Sequence, residues 1–183
     1  MAFRHKTIHN PVTGQSITFL QTRRDTNGTL LEMEATYAPG SHEPPAHYHP
    51  GQQEYFQILA GELTVQIHGV EKVLRTGDSL HISVNVPHAM WNAGNIETVV
   101  NWKVLPALQT EYMLETIAGL ACDGKTNATG MPSLPQTALT LGHFAREFRL
   151  TRPPYAVQWV VFKIVGSIAR LRGLRPFYTQ HLD

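Results

Sequence analysis

At 183 residues, 42% of them apolar, the chain has the length of one domain, or of one domain with an appendage, and enough apolar side chains for a packed core. Its formal net charge of +1 gives no electrostatic case for nucleic acid as a partner. Cys122 is the lone cysteine, which excludes an internal disulfide. The first stretch, MAFRHKTIHNPVTG, carries no apolar run behind its basic residues and so does not read as a secretory signal. A reducing, cytoplasmic setting is expected, and the sequons at Asn27 and Asn127 read as chance matches.

Residues 1 to about 105 read as β-structure. Runs of alternating apolar residues follow one another between Gly, Pro and Asn: SITFLQT, GTLLEMEATY, EYFQILA, ELTVQIHG, VEKVLRTG, SLHIS, HAMWNAG and TVVNWKVL. Their close spacing is that of a sandwich or barrel. Gly61 and Gly69 mark turns between paired strands.

After Pro106 the period changes. Leu108, Tyr112, Met113, Ile117 and Leu120 recur at helical spacing, with Gly124 as the stop. A breaker-rich loop, KTNATGMPSLPQ, leads to a second predicted helix, TALTLGHFAREFRL. Pro153 and Pro154 then open a third, YAVQWVVFKIVGSIARLRG. GLACDGKT, residues 119–126, matches the phosphate-loop pattern GxxxxGK[ST], but that chemistry needs a strand before the loop and a helix after it. Here a helical pattern precedes the loop and NATGMPSLP follows it, so Gly124 reads as a helix terminator and nucleotide binding is rejected. The third helix is apolar on most of its circumference, short for a membrane span and interrupted by Lys163. Burial against the barrel or in a subunit interface is the preferred placement; a membrane surface, with Arg170, Arg172 and Arg175 at the headgroups, is the other.

The stretch PPAHYHPGQQE, residues 44–54, carries the chemistry. Alternate side chains of an extended strand share a face, so His47 and His49 project together, and a turn at Pro50-Gly51 brings Glu54 back beside them. Two imidazoles and a carboxylate suit a divalent first-row transition metal, and NVPHAMWN offers His88 as a fourth ligand. By strand parity, Met33, Ala35, Phe56, Met90 and Trp102 are candidates for the lining of a largely apolar substrate pocket. His42, His68, His81 and His143 fall outside the pattern and read as surface or supporting residues.

These motifs resemble those of the cupin superfamily. Gly40, His47, His49, Glu54 and Gly61 match the first cupin motif, with one extra residue between Gly40 and His47. Gly77, His88 and Asn92 match the second, with Ser83 and Asn85 in place of its Pro and Gly; Asn tolerates the left-handed conformation such a turn needs. The resemblance covers about residues 15–105. It implies a mainly β fold, an antiparallel jelly-roll barrel over 1–105, followed by a C-terminal α-helical extension over 106–183 that packs on the barrel or on a partner subunit. It implies one divalent ion (Fe, Mn, Ni, Cu, Co or Zn) held by His47, His49, Glu54 and His88. Glu54 would double as a catalytic base when it leaves the metal. Expected activities are those of a metal-dependent enzyme on a small organic molecule, either a quercetinase-like dioxygenase or an isomerase. The other class is a non-catalytic, metal-dependent binding or sensing protein. A homodimer is the expected assembly, from edge strands and the apolar tail.

Overall fold

The computed structural model describes residues 1–182. The alternating segments pair into two antiparallel sheets facing each other across one apolar core, a jelly-roll barrel. The strands are β1 (Thr7–Asn10), β2 (Gln15–Gln21), β3 (Leu31–Tyr37), β4 (His47–Tyr48), β5 (Gln53–Ala60), β6 (Glu62–Ile67), β7 (Val70–Arg75), β8 (Ser79–Ile82), β9 (His88–Trp91), β10 (Thr98–Leu105) and β11 (Arg149–Leu150). One sheet runs β1-β2-β3-β10-β5-β8 and the other β11-β4-β9-β6-β7.

Period-two alternation sets which side chains enter the core. On β3, Leu31, Met33, Ala35 and Tyr37 are buried; on β5, Glu54, Phe56 and Ile58. Trp102 of β10 lies across from Met33 on one side and Phe56 on the other, and its ring stacks on Phe56 at 5.7 Å. Turn chemistry holds the register. Gly61 has φ +76, and a Cβ there would meet the Glu97 carbonyl at 2.5 Å, so no other residue fits without backbone movement. Asn85 stands at φ 61 in the turn before β9, the left-handed conformation its side chain tolerates, and its N–H donates to the His49 carbonyl at 3.1 Å.

Three helices follow: α1 (Thr110–Cys122), α2 (Leu134–His143) and α3 (Tyr155–Leu171). α1 lies on β1, with the Lys6 ammonium 2.7 Å from the buried Glu115 carboxylate. It ends in a loop at Gly124 (φ +68), with the Lys125 N–H returned to the Leu120 carbonyl, so a helix runs into GLACDGKT. α2 stops at His143, seven residues before the end of the second predicted helix. The remainder of that segment, through Leu150, turns and pairs as β11 with β4. The free edge of β4 is the reason: Gly51 N–H donates to the Arg146 carbonyl and Thr151 N–H to the Ala46 carbonyl, both at 3.0 Å, so strand pairing displaces continued helix.

α3 packs on α2 through small residues; Gly166 lies against Leu139, Gly142 against Phe162, and Ala169 is fully buried. Sequence reasoning prefers burial of this helix, yet in the single chain only Gln158, Gly166 and Ala169 are buried, and Val157, Trp159, Val160, Ile164, Ile168 and Leu171 face outward. No helix among the described residues is long and apolar enough to cross a membrane.

Candidate metal centre

Both sheets contribute to one cluster inside the barrel. His47 and His88 stand opposite each other in the β4–β9 register, His49 follows β4, and Glu54 enters from β5 of the facing sheet. One ring nitrogen from each of His47, His49 and His88 lies within 4.8 Å of the others. Glu54 Oε2 is 3.1 Å from both His49 Nε2 and His88 Nε2. Glu54 and His88 are almost wholly buried, at 1% and 2% exposed.

Backbone carbonyls set the direction in which each imidazole presents its lone pair. His47 Nδ1 contacts the Pro45 carbonyl at 3.3 Å, His88 Nδ1 the Val86 carbonyl at 2.9 Å, and His49 Nδ1 the Glu147 carbonyl. A carbonyl can only accept, so each Nδ1 carries the hydrogen, and the Nε2 atoms are the free donors of electron pairs. Trp102 completes the polar shell: its Nε1–H donates to Glu54 Oε1 at 3.0 Å, which holds the carboxylate with Oε2 toward the histidines.

Electrostatics favour an ionised Glu54 beside the imidazoles. Burial holds the His47 ring well below the ordinary imidazole value, and the His88 and His49 rings push it further down. Burial would lower His49 too, but the Glu54 carboxylate beside it outweighs that, and its net shift is upward. Burial would raise Glu54; the His49 and His88 rings outweigh it and hold the carboxyl far below its usual range. With Nδ1 protonated, His49 Nε2 and Glu54 Oε2 meet as acceptor against acceptor, and both are buried without a hydrogen-bond partner. One proton or one cation relieves this. Three imidazole lone pairs and a carboxylate oxygen are a donor set that fits a divalent transition metal.

The residues read from parity as pocket lining sit differently. Met33, Phe56 and Met90 belong to the close-packed core, and Trp102, packed against it, bonds to Glu54. An apolar cavity of about 150 Å³ lies beside His47, walled by Pro45, Ile117, Met131, Leu141 and Phe148. Phe148 stacks on the His47 ring at 4.4 Å and 20°. A more open groove of about 640 Å³ runs past His88, with Gln66, His68, Thr151 and Arg152 on its walls. Sequence reasoning missed Glu147 and Phe148, which lie about a hundred residues from the histidines they support; no local pattern marks them. His42, His68, His81 and His143 are exposed. Asn92 is fully buried and structural: its amide donates to the Tyr37 and Ile96 carbonyls at 3.1 and 2.7 Å.

Comparison with known proteins places this geometry. Residues 33–102 match the family model Cupin_2, the cupin domain. A protein named as an oxidoreductase from Arthrobotrys oligospora is 40% identical over 50 residues, 27% of this chain and 20% of that protein. Tetracenomycin polyketide synthase protein TcmJ of Streptomyces glaucescens is 31% identical over 81 residues, 44% of this chain and 52% of that protein. The chain thus spans between about a fifth and a half of the length of these curated relatives. An RmlC-like cupin from Shewanella frigidimarina superposes with a TM-score of 0.49 at 23% identity, over 61% of this chain and 94% of that one. Residues 33–102, which hold both histidine motifs in the two-sheet barrel, are thus a cupin domain.

Proposed function

We propose that the barrel holds one divalent transition-metal ion through His47, His49, Glu54 and His88, and that the protein is a metal-dependent enzyme of oxygenase type acting on a small organic molecule. The observation that carries this is the buried, unpartnered pair of His49 Nε2 and Glu54 Oε2, with the other two imidazoles turned toward the same space. The ion would supply a Lewis acid in a water-poor interior. Phe148 and the apolar cavity beside His47 offer an aromatic surface to an apolar substrate. Glu54 would help to hold the ion, and its Oε2 would be placed to accept a proton from a substrate, with the Trp102 N–H on Oε1 keeping the carboxylate oriented. The oxidoreductase name of the Arthrobotrys oligospora relative supports the same class.

The test is elemental analysis of purified protein beside the His47→Ala/His49→Ala double variant, followed by oxygen-uptake assays with phenolic and enol substrates. About one equivalent of a redox-active metal in the wild type, lost in the variant, is expected. A wild type that carries no metal and takes none up on reconstitution would falsify the reading. A bound metal with ligand binding but no turnover would move the protein to the non-catalytic class. Trp102→Phe removes the donor to Glu54 Oε1 and keeps most of the apolar bulk. Chelator competition should show metal affinity weakened by roughly 10–100-fold, and the metal-free protein should also unfold more readily, by about 1–3 kcal/mol, because the buried Oε1 loses its donor.

A further inference from the structure

α3 carries two faces with different partners. Phe162 and Gly166 meet α2, Ala169 is buried, and Gln158 is buried with its amide on the Leu150 and Pro153 carbonyls. On the far side Val157, Val160, Ile164, Ile168 and Leu171, at separations of three, four, four and three, form an unbroken apolar stripe on one helix face. Ile164 is 59% exposed and Leu171 89%, so neither α2 nor the barrel covers it.

Charge decides what covers it. Residues 152–175 contain Arg152, Lys163, Arg170, Arg172 and Arg175 and no acidic residue. That segment is therefore net +5, while the rest of the chain is net −4. Lys163 and Arg170 lie on one flank of the stripe, where they also border the groove of about 310 Å³ between α2 and α3. Arg172 lies on the other flank at the helix end. A second copy of α3 would set cations against cations with no acid to answer them. An anionic bilayer accepts both features: the stripe enters the acyl boundary and the flanking cations reach headgroup phosphates. Trp159, exposed with Lys163 over its ring at 5.2 Å, lies off the stripe beside the α2–α3 groove.

We propose that α3 lies in the plane of an anionic lipid surface and docks the barrel there as a peripheral protein. The experiment is vesicle flotation of the full chain, purified with its metal, on phosphatidylcholine vesicles with and without phosphatidylglycerol. Binding at least about tenfold tighter to the anionic vesicles, weakened by high salt, is expected. Ile164→Asp, and separately Arg170→Glu with Arg172→Glu, should each lower it by about tenfold or more. Ile164 is exposed, so unchanged circular dichroism and metal content in Ile164→Asp keep the comparison clean. Absent binding, equal binding to neutral vesicles, or an unaffected Ile164→Asp variant each overturns the proposal. So does a concentration-dependent dimer that Ile164→Asp dissolves in the absence of vesicle binding, an outcome that assigns the stripe to a second copy.

Discussion

Glu54→Gln is expected to abolish the proposed metal binding while leaving the metal-free protein at least as stable as wild type. In the wild type, Glu54 Oε1 accepts from Trp102 Nε1 and Oε2 faces two imidazole Nε2 atoms at 3.1 Å. An amide fits that arrangement without a metal. Its carbonyl oxygen takes the Trp102 hydrogen, and its NH₂ group presents one hydrogen to each imidazole lone pair. A neutral network then replaces a buried ionic one, and such replacements are often neutral or stabilising. Metal affinity should fall by more than the roughly 100-fold of a supporting-residue substitution, because the only anionic ligand is gone. Glu54→Ala separates the two effects. It also loses the metal, but it leaves Trp102 Nε1 and the imidazole nitrogens unpartnered around a hole, and should cost the metal-free protein about 2–4 kcal/mol. Calorimetric titration for the metal and denaturant unfolding of the chelated proteins check both halves. A Glu54→Gln protein that keeps wild-type metal affinity would remove Glu54 from the proposed ligand set, and one that unfolds as readily as Glu54→Ala would refute the amide network.

The barrel and the histidine cluster were legible because strand parity is local. A period of two places His47 with His49 and Glu54 with Phe56 and Ile58, and the glycine-marked turns close the strands on each other. What supports the cluster was not legible, because it comes from far along the chain. Glu147 and Phe148 reach His49 and His47 only after α2 has folded back, and their segment looks helical until the edge of β4 competes for its backbone. Trp102 was visible as an inward-facing residue, but its indole hydrogen could find Glu54 only through the β5–β10 register. For α3 the apolar content is plain in the sequence, whereas the side α2 covers depends on Gly142, Gly166 and Ala169, small residues that look like gaps in the pattern.

Gln52, two residues before Glu54, is where the extension is tied to β5, and substitution there should be among the most damaging in the chain. It is 1% exposed. Its amide nitrogen lies 2.7 Å from the Pro106 carbonyl, 3.0 Å from the Ala107 carbonyl and 2.8 Å from Thr110 Oγ1, and its oxygen accepts from Thr110 at 3.1 Å. The bonds join the entry of β5 to the first turn of α1. Gln52→Leu keeps the volume but strands two carbonyls and a hydroxyl away from water, at about 3 kcal/mol in all. Gln52→Glu should be worse, at about 3–5 kcal/mol, since a carboxylate donates nothing and would face two carbonyl oxygens as an uncompensated buried charge. In urea, the midpoint should fall in that order at constant slope, as expected when stability changes without a change in the unfolded state. Because β5 carries Glu54 on the same inward face, the Leu variant should also bind metal more weakly while still folded. If Gln52→Leu unfolds within about 1 kcal/mol of wild type, the joint is not a structural tie, and the orientation of Glu54 must rest on Trp102 and the sheet alone.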